Sequence, residues 1–363
     1  MPSTAAEQCI DEAIAMRGRI TVAEFMELAL YHPAHGYYSS ATRRSGRGGD
    51  FYTSVDAGPL FGACIARYLV QSHNHQIPQS PNPFDVVDAG AGTGRLSRDV
   101  LDALQQEAPG VYAAVRLHLV ERSGAARAAQ LETLGPHADK LVYSGDTLPA
   151  CVRGVIIANE LLDALPCHRV VMTGGRLRED YVSSTPTGRL RLESGELSDD
   201  RIGIQLERAG ITLQDGWRAE VSVAAAQWVA DASRALTAGT LMIFDYGHEA
   251  RELYSAAHAE GTLARYVNHR VDRRWLDDAG ASDLTAHVDF TTIRQSAEAE
   301  GLRLRQFTDQ TRFLLDCGIA DRLPSGGSVA DVRQRLAART LLAPEGLGGT
   351  IKVMVLERPE RRA

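Results

Sequence analysis

DVVDAGAGTGR, residues 85–95, is an apolar run that breaks into glycines at alternate positions, Gly90, Gly92 and Gly94. Glycine lets a backbone turn tightly and approach a ligand closely, so a loop of this kind after a strand reads as a nucleotide cradle. The spacing is G-x-G-x-G. A dinucleotide fingerprint has its third glycine one position later, where this chain has Arg95. The mismatch weakens an NAD reading without removing it.

Around this loop the chain shows short apolar runs separated by helical patterns. FDVVDAG, RLHLVER, KLVYSGD, GVIIANE and GTLMIFDYG alternate with RLSRDVLDALQQ, GAARAAQLETLG and EVSVAAAQWVADASRAL. Near-continuous apolar strands alternating with helices predict a parallel sheet covered on both faces, an α/β fold. Residues 167–197 interrupt the alternation, and their two-residue rhythm around TGG and PTG predicts antiparallel hairpins. Upstream, TVAEFMELALYH places Val22, Phe25, Met26, Ala29 and Leu30 on one helix face, with Thr21 and Glu24 as a capping box. RRSGRGGDFYTS has no periodicity and reads as an exposed lid, and a second helix is expected after Ser54 with Pro59 in its first turns. The divisions expected are an N-terminal helical and lid region at 1–80, the first half of the core at 81–170, a hairpin insertion at 171–215, and the second half of the core with its closing strands at 216–363.

Composition narrows the function. With 363 residues, 44% hydrophobic and 23% charged, the chain can bury a sizeable core. A net charge of -7 argues against a general nucleic-acid binder. No apolar run reaches the roughly 20 residues of a membrane span. Cys9, Cys64, Cys151, Cys167 and Cys317 are scattered, as expected of reduced thiols. The acidic, weakly apolar start adds to the expectation of a cytoplasmic protein.

The strand ends carry the chemistry. Asp88 with Gly90, Gly92 and Gly94 resembles the first motif of class I S-adenosyl-L-methionine (SAM) methyltransferases, in which the loop holds the methionine end and an acid reaches its ammonium. Glu121 ends the second run, where a carboxylate accepts both ribose hydroxyls in NAD or in SAM. Asp146 ends the third and suits an adenine amino group, which favours SAM. Each has a plainer alternative: a tight turn for the glycines, a helix-start acid for Glu121 and a turn residue for Asp146. Their occurrence at successive strand ends argues for a ligand.

Asn159, Glu160 and Asp163 follow the fourth run. Methyl transfer is an in-line displacement that needs a held, oriented nucleophile. Two carboxylates suit a guanidinium, which pairs with them as a planar fork and must lose a proton. Capping of the turn before Pro166 by Asp163, and satisfaction of backbone groups by Asn159, are the structural alternatives. His287 and Asp289 could form a base with its orienting carboxylate or a structural pair, and without an evident third ligand no metal is assigned.

GDFYTSVDAGPLFGACIARYL, DAGAGTGRL, LVERS, ANELLDALP, DYGH, DLTAHVDF and FLLDCGI together resemble the MidA-type methyltransferases, from about Ile20 to Val355. The resemblance implies a SAM-binding Rossmann-like core and protein-arginine methylation, with a respiratory complex I subunit as the family's best-known target. By position it implies Asp88, Gly90, Gly92 and Gly94 as the SAM loop, Glu121 at the ribose, and Glu160 and Asp163 on the acceptor side. Asp245, Tyr246, His287 and Asp289 would border the same cleft, and Asp50 to Ser54 would close over SAM. The rival readings are a SAM-binding assembly factor without transfer activity, a small-molecule methyltransferase and an NAD oxidoreductase.

Overall fold

The computed structural model describes residues 4–39, 52–76, 83–267 and 270–358. The chain divides into two compact units, each drawn from separated segments: Met1–Phe51, Leu162–Val229 and Gly247–Ser296 in the first, and Tyr52–Leu161, Ala230–Tyr246 and Ala297–Ala363 in the second.

The second unit is built on one sheet. Its strands are β1 (Phe84–Ala89), β2 (Val115–Val120), β3 (Leu141–Gly145), β4 (Val152–Asn159), β5 (Leu236–His248, whose last two residues fall in the first unit), β6 (Arg303–Asp309) and β7 (Ile351–Arg358). They lie in the order β6-β7-β5-β4-β1-β2-β3. The five strands expected from the apolar runs pair parallel, and β7 pairs antiparallel with both β5 and β6. Every residue of β1 is buried, as a central strand covered on both faces requires. The strand order reverses direction beside β1, so β1 and β4 diverge at a switch point where open α/β sheets bind ligands. Phe61, Phe244 and Phe313 stack edge to face at 5.4 and 5.2 Å between centroids in the core of this unit.

The first unit has its own sheet and core. His168–Thr173 and Arg176–Ser184 form a hairpin closed by Gly174 and Gly175, with Thr173 opposite Arg176. Both glycines take positive φ, 58° and 72°, as a two-residue hairpin turn demands. Leu190–Gly195 adds a second hairpin after the PTG turn. Ile20–Thr21 and Arg218–Val221 complete the sheet, so the expected hairpins pair with both an upstream and a downstream segment. Thr21 caps the helix Val22–Tyr31 reciprocally with Glu24, and all five residues expected on its inner face are buried. A three-stranded sheet of Ala264–Val267, Arg270–Asp272 and Asp283–Thr285 was not legible as strands in the sequence.

Smaller departures have local causes. The helix expected after Ser54 begins at Leu60, immediately past Pro59, because Thr53 and Asp56 cap a separate 3-10 turn, Ser54–Ala57. The Arg-rich part of the expected lid lies outside the described residues, which resume at Tyr52. The five cysteines are free thiols. Among the described residues, no helix is long and apolar enough to cross a membrane.

Candidate active site

The glycine loop leaves β1 and enters the helix Arg95–Glu107. Gly90, Gly92 and Gly94 all have positive φ, at 72°, 52° and 86°. At Gly92 a Cβ would point into open space, so the requirement there is conformational and the loop backbone faces outward uncrowded. Gly90 and Ala91 donate to the Val120 carbonyl at 2.9 and 3.1 Å, tying the loop to the end of β2.

Glu121 continues from that end. Its carboxylate accepts the Gly92 N–H at 2.8 Å and the Ser123 N–H at 2.7 Å. Gln130, fully buried on the next helix, donates to the Gly92 carbonyl at 2.9 Å and accepts from Ser144 at 2.7 Å. Asp88 is buried and accepts from Ser97 at 2.7 Å. Burial, opposed by that hydrogen bond and helped by the nearby Glu121 charge, pushes Asp88 up to about 6. Asp146 is exposed just past β3.

The end of β4 holds the second part of the site. Glu160 has φ 50°, which a side chain bearing a Cβ adopts only under constraint. Its N–H donates to the Phe244 carbonyl at 2.8 Å, and its carboxylate accepts the Ser54 N–H at 3.1 Å. Burial, with the Asp245 and Asp56 charges adding to it, pushes Glu160 up to about 8. Asp245, fully buried at the end of β5, accepts from Leu161 N–H at 3.1 Å and Tyr246 N–H at 2.9 Å. The Asn159 Oδ1 is buried without a hydrogen-bond partner among the described residues.

The strand ends thus bring together Asp88, the three glycines, Glu121, Asn159, Glu160, Asp245 and Tyr246 within the second unit. Sequence reasoning missed their supports. Arg95, noted only as a failed glycine, pairs with the buried Asp56 carboxylate at 2.7 Å and anchors the segment that carries Ser54. Ser54 Oγ in turn donates to Gln310 at 2.8 Å. Gln130 had a signal, a polar residue on an apolar helix face; the Ser54–Gln310 contact joins positions too distant in sequence to have one.

Asp163, His287 and Asp289 belong to the first unit, where they line a cavity of about 30 Å³ with Glu220 and Tyr254. Asp163 is buried in a turn, and its carbonyl accepts the Ala286 N–H at 2.9 Å. Asp289 accepts from the Thr291 and Thr292 N–H groups at 3.0 and 3.2 Å and from the Thr292 hydroxyl at 2.7 Å. Its carboxylate therefore caps the helix Phe290–Ala299. Burial and two neighbouring histidines lower His287 to about 4, so its imidazole is neutral at physiological pH.

A family model described as "Putative S-adenosyl-L-methionine-dependent methyltransferase" matches residues 64–308. The chain belongs to that family. A COG1565 superfamily protein from Burkholderia thailandensis, solved bound to S-adenosyl-homocysteine, superposes with a TM-score of 0.89 at 31% identity, covering 98% of this chain and 92% of that one. Protein arginine methyltransferase NDUFAF7 of Danio rerio is 29% identical over 85% of this chain and 76% of its own length. Its Drosophila melanogaster homologue is 27% identical over 79% and 69% respectively.

SAM is accordingly the cofactor of the family, and the site fits it. The outward-facing loop at Gly92 offers backbone to an amino-acid end, and Glu121 and Asp146 stand at adjacent strand ends where hydroxyl and amino donors of a nucleoside would be met. The expectation of a cytoplasmic protein is corrected: these curated relatives are named as mitochondrial. Scattered reduced cysteines and a weakly apolar start do not distinguish the cytosol from another reducing compartment.

Proposed function

We propose that the chain transfers the methyl group of SAM to arginine side chains of a protein, with Glu160 as the acceptor-side carboxylate. The observation that carries this is Glu160. Its constrained backbone holds a carboxylate beside Asp245 and Asp56, answered by the Ser54 N–H and the Asn159 amide rather than by a cation. Such a group is stabilised by an arriving positive charge. The names of the curated relatives support a guanidinium as that charge.

In this reading Asp88, Gly90, Gly92, Gly94, Glu121 and Asp146 hold SAM, which supplies an electrophilic sulfonium methyl. Glu160 fixes the guanidinium and takes the proton released as the nitrogen is methylated; an affinity for protons near neutrality suits that task. Asn159, Asp245 and Tyr246 would border the acceptor, with Asp245 holding the Leu161 and Tyr246 backbone. A subunit of respiratory complex I is the substrate to try first.

Incubating the chain with methyl-labelled SAM and a lysate, then hydrolysing the labelled protein, tests the proposal. Methylarginine in a discrete band, absent with Glu160→Gln, is the expected result. Absence of label from a chain that binds S-adenosylhomocysteine, with a complex I-containing lysate, would favour an assembly factor without transfer activity.

A further inference from the structure

Three histidines from separate stretches of the first unit converge. His248 ends β5, His258 closes the 3-10 turn Ala256–His258, and His287 precedes the short strand Val288–Asp289. One ring nitrogen from each lies within 4.8 Å of the others. Ring centroids are 5.1 Å apart for His248 and His258, 5.4 Å for His248 and His287, and 5.8 Å for His258 and His287. We propose that these imidazoles form a binding site for a divalent transition metal of the zinc class.

The surroundings orient the rings for ligation. The His258 Nδ1 faces two carbonyls, Leu253 at 3.1 Å and Glu252 at 3.2 Å. Carbonyls accept, so Nδ1 carries the proton and Nε2 keeps its lone pair. The His248 Nδ1 stands 3.0 Å from a carboxylate oxygen of Glu252. Backbone-carbonyl and carboxylate partners on the far nitrogen are the usual supports of a metal-bound histidine. The His287 Nδ1 is buried with no hydrogen-bond partner among the described residues, an atom that a ligand would satisfy.

Reach is available. Tetrahedral zinc with bonds of about 2.0–2.1 Å places ligand nitrogens roughly 3.3 Å apart, so the rings need only draw together by side-chain rotation. Parallel pairing of Gly247 with Val288 and His248 with Asp289 already fixes two of the three backbones. An all-imidazole set suits Zn²⁺, Co²⁺, Ni²⁺ or Cu²⁺ rather than Mg²⁺ or Ca²⁺, which prefer oxygen. Three protein ligands leave a fourth position for water.

A second cluster, Cys9, His32 and His35, is the internal control. There the His32 Nδ1 lies 3.3 Å from the Ala34 N and 3.2 Å from the His35 N, accepting from both, and Nε2 lies 3.6 Å from the Cys9 sulfur. Both His32 nitrogens are therefore engaged within the protein.

Cobalt titration of the chelator-stripped full chain, followed by visible d–d absorption, tests the site. The expected result is one equivalent of Co²⁺ with tetrahedral or five-coordinate bands, displaced by Zn²⁺. Binding should weaken at least tenfold with His258→Ala and stay unchanged with His32→Ala. X-ray absorption at the zinc edge of the wild-type chain needs no substitution and should count imidazole neighbours without sulfur. No stoichiometric uptake, a sulfur-containing shell, or uptake indifferent to His258→Ala with the circular dichroism unchanged would overturn the proposal.

Discussion

The strand ends of the second unit hold their carboxylates differently from the acids of the first. In the first, several acids face arginine or histidine side chains. Arg169 reaches the buried Glu220 at 2.7 Å, the His168 Nδ1 lies 2.8 Å from the buried Glu179, and the buried Arg265 bridges the more exposed Asp272 and Asp278, each at 2.9 Å. Burial alone would push Glu179 up, yet hydrogen bonds from His168 and Ser198 bring it below its ordinary value. At the strand ends of the second unit, Glu121, Glu160 and Asp245 accept mainly from backbone N–H groups. Matched pairs lock a scaffold. Carboxylates held by backbone donors remain available to a positively charged ligand.

The largest expected effect lies at Glu160. Under the proposed mechanism Glu160→Gln lowers kcat/KM by about 10²–10⁴-fold, the range for loss of a general base. In the wild type, kcat/KM should rise with pH through about 8, as the free site loses the proton that competes with the cationic acceptor. Stability should move the other way. The folded chain keeps that proton up to about pH 8, whereas an ordinary glutamic acid releases it near 4.5. The native state therefore binds more protons across this window, and its stability falls as pH rises. Thermal melts of ligand-free Glu160→Gln should lack that part of the slope; an unchanged slope would show that the folded chain does not keep the Glu160 proton up to about pH 8.

Next comes the paired class. Arg169→Met should cost about 3–5 kcal/mol in urea unfolding, because it strands the buried Glu220 charge. Adding Glu220→Leu should restore a large part of the loss, and a double variant as weak as the single one would break the comparison. A smaller effect is expected at Gly92→Ala. The side chain meets no atom within 4 Å but must adopt φ 52°, so folding should lose about 1–2 kcal/mol. Calorimetric affinity for S-adenosylhomocysteine should fall further, by at least tenfold, because the added methyl occupies the open face of the loop. Thr21→Ala is the mildest, about 1 kcal/mol from one lost helix cap.

Much of this was legible from neighbours along the chain. The capping box at Thr21 and Glu24 needs residues three apart, and the buried face of that helix needs only a 3.6-residue period. Hidden from such a reading were partners remote in sequence, such as Arg95 with Asp56 and Gln310 with Ser54. Asp289 is a case the sequence left open between a catalytic and a structural role. The His-x-Asp spacing allowed an orienting carboxylate or a structural pair, and a helix starts at Phe290 and takes that carboxylate as its cap.

By itself the sequence determined the α/β class, the glycine loop, and the acids at the strand ends, because strand periodicity and turn chemistry are local properties of a chain. Only the tertiary structure decided that Ser54 would donate to Glu160, that Asp88 would be buried against Ser97, and that His248, His258 and His287 would meet. Those contacts depend on sheet register and loop closure, which are set by packing between distant segments. The composition of any one segment leaves them undetermined.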